Sequence, residues 1–454
     1  MKTLYDRVKY YLLTKLLLFT SLYLAGRSDF ILTRLSFLAL QITTRDHYKK
    51  KIIWIRDLFE HHHSSIKVIK KMLRETHPRQ RERIIKTFFI NQLLLGSNKR
   101  KKFSEQKDSF YPPGFMVISP TMRCNLNCYG CYAGSYQQEG ELTFNDIDRI
   151  LTEGKEMGIY FAVISGGEPF LSKDILKIFE RHSDVAFHVY TNGSLIDERL
   201  ADRIAELGNI LPAISVEGFK KETDARRGRE HYEKVMEVMK LLRERKLLFG
   251  FSATLTQLNS DSITSDHFID HFIEQGCVVG WYFTYVPVGR EPNLQLFPTP
   301  QQREHLRQRV TYIRNTKPIL IGDFWNDGPV VGGCLAGGRK YFHINSHGDI
   351  EPCVFCHFAT DNIKNKSLKE ALNSPMFQMI RQSIINNPNK LRPCMIIDHP
   401  EVYRKATSFN GAYFTHEGAE KVIGELAPDL DRYASEYGKI ADIVWEKEYR
   451  NGNR

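Results

Sequence analysis

The chemistry that this chain can do is concentrated in its cysteines. Three stand together in Cys124-Asn-Leu-Asn-Cys128-Tyr-Gly-Cys131, within eight residues. Cys334, Cys353 and Cys356 fall within 23 residues, Cys394 lies farther on, and Cys277 stands alone. Such short Cys–Cys loops strain a disulfide and suit metal or cluster ligation in a reducing compartment. Three thiolates can hold three irons of a cubane cluster and leave the fourth iron without a protein ligand. That open position is what permits chemistry, as it does at a catalytic zinc. From the residues alone, a zinc knuckle short of one ligand and three buried free thiols are the alternatives, and no fourth Cys or His follows at short spacing. The later four cysteines suffice for one further cluster or for a structural zinc site. Cys277 reads most simply as a small buried hydrophobe.

Position along the chain gives these groups their meaning. Residues 115–318 alternate short apolar runs with amphipathic stretches. Strands are expected at Phe115–Ser119, Tyr160–Ser165, Ala186–Tyr190, Leu211–Val216, Leu248–Thr254 and Val278–Tyr285. Helices are expected near 143–157, 173–182, 197–207, 231–245, 264–275 and 300–315, the first opened by a capping box in which Asp146 replaces the usual Glu or Gln three residues after Thr143. Six βα units in succession imply a parallel sheet with its functional groups at the C-terminal ends of the strands. An open, curved partial barrel and a flat doubly wound sheet both satisfy this pattern. Residues 1–105 read as helical throughout, with Trp54, Leu58 and Phe59 and then Ile66, Ile69, Met72 and Leu73 at helical spacing. A polar linker, 97–108, and the turn Pro112-Pro113-Gly114 separate them from the core. Residues 333–397 break the βα rhythm and form a small cysteine-rich module, and 398–454 read as a helical tail.

The Cys124–Cys131 motif in the first βα loop resembles the signature of the radical S-adenosylmethionine (SAM) superfamily, and four further motifs agree in order. Ser165-Gly166-Gly167-Glu168-Pro169 closes the second strand as the family's GGEP motif. Thr191-Asn192-Gly193 closes the third, Ser215-Val216-Glu217-Gly218 the fourth, and Tyr285-Val286-Pro287-Val288-Gly289 the sixth. The resemblance implies a partial (β/α)6 TIM-like barrel in an α/β chain. It implies a 4Fe–4S cluster held by Cys124, Cys128 and Cys131. It also implies that Gly166, Gly167, Glu168 and Pro169 meet the SAM amino group, that Asn192 borders the site, and that Ser215 and Glu217 meet its ribose. Arg226 would meet its carboxylate, and Pro287 and Val288 its adenine. Gly130 departs from the family, where an aromatic residue often precedes the third cysteine; Tyr129 and Tyr132 flank it. Cys334, Gly348, Cys353, Cys356 and Cys394 resemble the start of the SPASM extension or its shortened twitch form, which implies one auxiliary 4Fe–4S cluster, since a complete SPASM module needs seven cysteines and four are present. By this resemblance the chain is an enzyme in which a reduced cluster cleaves SAM, and the 5′-deoxyadenosyl radical takes hydrogen from a substrate. A small electron donor such as flavodoxin or ferredoxin is the expected partner.

Charge bears on the substrate. The net charge of +11 is unevenly held: residues 1–110 carry 24 Lys and Arg against 9 Asp and Glu, and the remainder 40 against 44. A basic segment beside the apolar runs Leu16–Leu24 and Phe30–Leu40 points to an anionic membrane surface met through residues 1–50. Neither run is long enough to span a bilayer, which needs about 20 apolar residues. A cytoplasmic protein lying peripherally on the inner membrane face, acting on a membrane lipid, is therefore expected. A maturase for a ribosomally made peptide is the alternative, a non-catalytic iron–sulfur redox or scaffold protein is the alternative of another class, and a soluble helical cap on the barrel is the other reading of residues 1–105. A signal peptide over the first 26 residues fits poorly with a cysteine-ligated cluster. No nucleic-acid motif is present, so no nucleic-acid partner is expected. The Asp323-Phe-Trp-Asn-Asp-Gly segment reads as a turn with a helix cap, and His61-His62-His63 as a solvated face.

Overall fold

The computed structural model describes residues 15–450 apart from 17, 21, 43–45, 62 and 108, and within helices leaves aside the side chains at 39, 42, 46–48, 50, 51, 54 and 55. The first 14 residues, His62 and the side chain of Trp54 thus lie outside the described residues.

Strands form where the expected apolar runs stand: β1 (Met116–Ile118), β2 (Phe161–Ile164), β3 (Ala186–Thr191), β4 (Ile210–Val216), β5 (Gly250–Leu255) and β6 (Val279–Thr284). All are parallel and adjacent in chain order, as successive βα crossovers require. One residue per strand in turn, Val117, Val163, His188, Ser215, Ser252 and Trp281, faces a common cavity. The sheet therefore curves around that cavity, and the flat doubly wound alternative is excluded. The alternate residues, among them Ile118, Ile164, Val189, Ile214, Phe251 and Tyr282, are buried on the convex side. Phe251, for example, packs its ring on Phe268 and Phe272 of the helix Asp266–Glu274. The capping box forms as expected: the Thr143 side chain accepts from the Asp146 N–H, and the Asp146 carboxylate accepts from the Thr143 N–H at 3.0 Å.

The sheet runs beyond the six strands read from the sequence. A seventh parallel strand, β7 (Leu320–Asp323), pairs with β6. It contains Gly322 because a Cβ there would lie 2.5 Å from the Trp281 ring. On the other side, β8 (His343–Ile344) pairs in parallel with β1 and β9 (Ile350–Glu351) returns antiparallel. The cysteine-rich module is thus joined to the core through one continuous nine-stranded sheet. The tail is helical at Pro400–Thr407 and Ala427–Glu448, and it adds a short strand, β11 (Tyr413–Phe414), that pairs with β10 (Phe358–Ala359) of the module.

The N-terminal region is helical where described, at Asp29–Ile42, Asp46–Glu60, Ser64–Glu75, Pro78–Ile84, a wide-turned π-helical stretch Ile85–Gly96, and Ser97–Ser104. Its later part closes the N-terminal end of the barrel. Two buried glutamines make that closure by pairing with the backbone where the strands begin. Gln80 donates to Ile210 O at 2.8 Å and accepts from Leu248 N–H at 2.7 Å. Gln92 accepts from Tyr160 N–H at 2.7 Å and donates to Gly114 O at 2.5 Å. The earlier part leaves Leu16, Phe19, Phe30 and Leu38 mostly exposed. No helix among the described residues is long and apolar enough to cross a membrane.

Gln80→Leu keeps the volume but strands a carbonyl and an N–H, each costing about 1–3 kcal/mol when buried and unpaired. Urea unfolding of this variant should show a midpoint clearly below that of the parent protein; an unchanged midpoint would show that the cap does not depend on this contact.

Candidate active site and second cysteine cluster

Close backbone approach shapes the cysteine loop. Gly167 N–H donates to Thr121 O at 3.0 Å and Glu168 N–H to Arg123 O at 2.8 Å. A Cβ on Gly167 would lie 2.2 Å from Arg123 O, and one on Gly166, whose φ is +114°, would lie 2.4 Å from Thr121 O. The two glycines thereby let the end of β2 lie directly on the start of the loop. From the opposite side Gly289 presses against Tyr132 O, and Arg290 donates its backbone N–H to Cys131 O at 3.0 Å. The Arg290 side chain reaches Gly134 O at 3.2 Å and Cys128 O at 3.5 Å. Arg226 holds the middle of the loop through Tyr129 O at 3.1 Å and Gly130 O at 3.3 Å.

Cys124, Cys128, Cys131, Gly166, Gly167, Asn192, Ser215 and Arg226 all face one cavity of about 1540 Å³, open solvent at its mouth included. Asn192 donates to Asn125 Oδ1 at 2.9 Å and approaches Cys124 Sγ at 3.9 Å. Ser215 Oγ lies 3.4 Å from Ser252 Oγ. Burial pushes the Cys124 thiol up to about 11, and it raises Cys128 despite the opposing pull of Arg227. Thiols so held are poor nucleophiles at neutral pH; they become thiolates when a metal displaces their protons. The donor set fits an iron–sulfur cluster better than cysteine nucleophilic catalysis. Among the described residues no three His, Cys, Asp or Glu side chains converge on a single-ion site. A four-iron cluster, whose cysteines bind different irons, needs no such convergence.

Other residues expected in this site do not reach the cavity wall. Glu168 is buried, and its carboxylate accepts from Thr191 Oγ1 and Asn192 N–H, both at 2.8 Å, so it braces the ends of β2 and β3. Pro169 is buried and opens the short turn Pro169–Leu171. Glu217 is buried and paired with Arg226 at 2.7 Å and Arg227 at 2.5 Å. Burial opposes the charge on Arg227, but Glu217 outweighs it and holds the guanidinium pKa above its ordinary value. Pro287 and Val288 are also turned away, whereas Tyr285 and Val286 beside them face the cavity. The Tyr285 ring stands where a side chain at Gly130 would project, a Cβ there lying 3.0 Å from it. Tyr132 lines the cavity with its hydroxyl 2.6 Å from Ser165 Oγ, while Tyr129 is exposed. The sequence reading missed Arg290, which follows a motif it singled out. It also missed the inward positions His188, Ser252, Thr254 and Trp281, which strand alternation marks.

Cys334, Cys353, Cys356 and Cys394 line a second cavity of about 390 Å³, open solvent included, with Trp325, Ala336, Met395 and other apolar residues. Phe355 N–H donates to Cys353 Sγ at 3.5 Å and Ile396 N–H to Cys394 Sγ at 3.4 Å. Burial raises Cys334 and pushes Cys394 up to about 12. Four thiols around one apolar space, with N–H groups aimed at sulfur, fit an iron–sulfur cluster. Phe324, Leu335 and Phe355 belong to both cavities and form the wall between them. The Asp323 segment is a turn: its carboxylate accepts from Trp325 N–H at 3.2 Å and Asn326 N–H at 3.1 Å. His63 caps the helix Ser64–Glu75.

Comparison with known proteins agrees with this geometry. Residues 118–262 match the Radical SAM superfamily and residues 334–395 match SPASM, an iron–sulfur cluster-binding domain. The AdoMet-dependent heme synthase of Methanosarcina barkeri is 25% identical over 321 residues, covering 64% of this chain and 90% of that protein. The mycofactocin maturase MftC of Mycobacterium tuberculosis is 26% identical over 342 residues, 69% of this chain and 83% of that one. The structure of Streptococcus suis SuiB bound to S-adenosylmethionine shares the fold, with a TM-score of 0.54 at 19% identity over 70% of this chain and 83% of that one. SuiB bound to its precursor peptide SuiA gives 0.54 at 21% identity over 63% and 70%. The chain therefore carries a Radical SAM domain and a SPASM domain. It is an enzyme that uses SAM and a 4Fe–4S cluster, with auxiliary iron–sulfur chemistry in the module.

Gly167→Ala should push the loop away from β2 and lower reductive SAM cleavage by roughly 100-fold, the scale of an ångström-level misplacement. Gly424→Ala, whose Cβ would meet nothing closer than 3.7 Å, should leave cleavage unchanged. Release of 5′-deoxyadenosine measures both.

Proposed function

We propose that this enzyme is a peptide maturase that acts on an uncharged side chain. Cys124, Cys128 and Cys131 hold the SAM-cleaving cluster, and Gly166, Gly167, Asn192, Ser215 and Arg226 border bound SAM. Glu168 and Glu217 support that site from behind. Cys334, Cys353, Cys356 and Cys394 hold one auxiliary cluster. When bound, the reduced cluster supplies the electron that cleaves SAM and so generates the hydrogen-abstracting radical. The chain's own residues orient SAM and keep the cavity dry. The four units are 1–105, 115–318, 333–397 and 398–454, and a small flavodoxin- or ferredoxin-type protein is the electron donor.

The observation that carries the choice of substrate is the cavity wall. Its charged side chains are Arg226 and Arg227 alone, both engaged by Glu217. The rest is aromatic and neutral: Phe115, Phe161, Tyr190, Trp281, Phe283 and Tyr341, with hydroxyls from Ser252 and Thr254. Burial lowers His188 to about 4, which keeps it neutral. A tetrapyrrole such as the heme of the M. barkeri relative brings carboxylates that this wall does not match. The similarity to a maturase and to a precursor-peptide-bound protein supports a peptide. The expectation of a lipid substrate rested on the basic N-terminal region. Residues 64–104 of that region serve to close the barrel, which weakens its reason.

Replacing Cys124, Cys128 and Cys131 together with Ala should abolish 5′-deoxyadenosine release and lower bound iron from about eight per chain to about four. Retained cleavage would overturn the cluster assignment. A short precursor peptide encoded beside the gene should raise 5′-deoxyadenosine release and change mass, whereas phospholipid vesicles and a tetrapyrrole should do neither. A response to either of those instead would overturn the peptide reading.

We propose separately that the exposed apolar residues Leu16, Phe19, Phe30 and Leu38, amid the basic N-terminal charge, rest on an anionic membrane surface on the cytoplasmic side. Co-sedimentation with anionic liposomes should then occur at low salt. It should fall at about 0.5 M salt, where the screening length is a few ångströms, and fall likewise on deleting residues 1–40. No sedimentation of the full chain at low salt would end this reading.

A further inference from the structure

One polar contact crosses the wall between the two cavities. Tyr341 is fully buried, yet its ring faces the larger cavity and lies flat on Phe115, with ring centres 5.2 Å apart and planes 6° apart. Its hydroxyl points the other way and donates to Cys353 Sγ at 2.8 Å, and that cysteine faces the smaller cavity. Core and module fix this aim together. Phe115 N–H donates to Lys340 O at 3.1 Å and Tyr341 N–H to Leu335 O at 3.0 Å, and the ring is held between Phe115 and, edge-on at 5.8 Å, Phe324, so the phenol has little freedom to turn elsewhere.

Reduction adds negative charge to a cluster and its thiolates, and a hydrogen bond to a ligating sulfur favours the more negative state. In an apolar, water-poor cavity such a bond acts with little screening. We propose that Tyr341 sets the reduction potential of the auxiliary cluster, its O–H bond to Cys353 holding that potential above the value the four cysteines alone would give. Tyr341 is a positioning residue that acts through Cys353. The proposal rests on the assignment of Cys334, Cys353, Cys356 and Cys394 to a cluster. Because the same ring forms part of the larger cavity, the contact couples the electronic character of the auxiliary site to the packing of the substrate chamber.

Tyr403 provides an internal comparison. It is another buried tyrosine at the module, and its hydroxyl has no hydrogen-bond partner among the described residues. The test uses full-length protein carrying Cys124→Ala, Cys128→Ala and Cys131→Ala, reconstituted anaerobically with iron and sulfide so that the auxiliary cluster alone remains. Redox titration followed by absorbance and electron paramagnetic resonance reads its midpoint. Adding Tyr341→Phe should move the midpoint to a more negative potential, and adding Tyr403→Phe should leave it in place. An unmoved midpoint in Tyr341→Phe, or an equal shift in both, overturns the proposal while leaving the cluster assignment standing. A background protein that takes up no iron overturns the assignment itself, and the proposal with it. Electron–nuclear double resonance of the reduced background protein in D₂O gives a second readout: a coupled solvent-exchanged deuteron that Tyr341→Phe removes and Tyr403→Phe keeps is expected, and a spectrum unchanged by Tyr341→Phe overturns the proposal.

Discussion

Beside the continuous sheet, one buried ion pair, Arg303 with Asp398, fixes the C-terminal edge of the cysteine-rich module against the core. Both side chains are fully buried, and the guanidinium meets the carboxylate through two bonds of 2.6 Å and 3.1 Å. Few charges survive such burial unless every remaining donor and acceptor is satisfied, and here nearly all are. The guanidinium also reaches Asn326 Oδ1 in the turn after β7 and Leu391 O in the module, and it lies 3.7 Å over the Tyr437 ring of the tail. Asp398 in turn accepts from Cys394 N–H at 2.9 Å and donates its own N–H to Cys394 O. A single bidentate contact therefore joins the last core helix, the seventh strand, the fourth module cysteine and the C-terminal helix.

The cysteine loop is held by a different device. Met122, Ala133 and Tyr136 form a small buried cluster at its two ends, but between them backbone contacts hold it. It lies between backbone surfaces that glycines allow to come close: Gly166 and Gly167 on one side, Gly289 on the other. Arg226 and Arg290 then bind its carbonyls as bridging cations. The carbonyls of the loop are thus occupied while its sulfurs are left free to face the cavity. Glu217 carries the balancing charge. By engaging both Arg226 and Arg227 it leaves these three groups with one net positive charge rather than two, so the wall as a whole is not cationic.

Much of this was legible in the sequence, for identifiable reasons. The six expected strands appear within a few residues of their expected ends, because each is a short apolar run followed by an amphipathic stretch. The capping box at Thr143 was likewise readable, since it is local chemistry. The seventh strand was not, since four residues with a central glycine carry almost no periodic signal, and Gly322 makes sense only once the Trp281 ring is known to cross it. Glu168 and Glu217 illustrate a second limit. A carboxylate at a strand end looks like a ligand-binding group, but whether its oxygens face the cavity or the neighbouring loop depends on Thr191 in one case and on Arg227 in the other. The helix Lys220–Arg227 escaped notice because it is polar throughout and is fixed by its contacts rather than by an apolar face. The N-terminal region shows a third limit. Its basic charge drew attention to a membrane, while the two residues that fasten its later part to the barrel, Gln80 and Gln92, are neutral and carry no pattern.

The two cavities share Phe324, Leu335 and Phe355, and this sharing follows from the topology. Phe324 directly follows β7 at one end of the parallel sheet, whereas Leu335 and Phe355 flank the β8–β9 hairpin at the other. Bringing them into one wall requires the sheet to curve until its two ends approach, with the module spanning the remaining gap. A flat sheet of nine strands, spaced about 4.8 Å apart, would hold those ends tens of ångströms from each other. The curvature that makes a substrate chamber is therefore the same curvature that sets the second cysteine cluster against it. The shared side chains make that wall apolar, with an aromatic ring or a leucine at each shared position. Through that wall Tyr341 makes the one hydrogen bond, among the described residues, from a side chain of the chamber to a cysteine of the module.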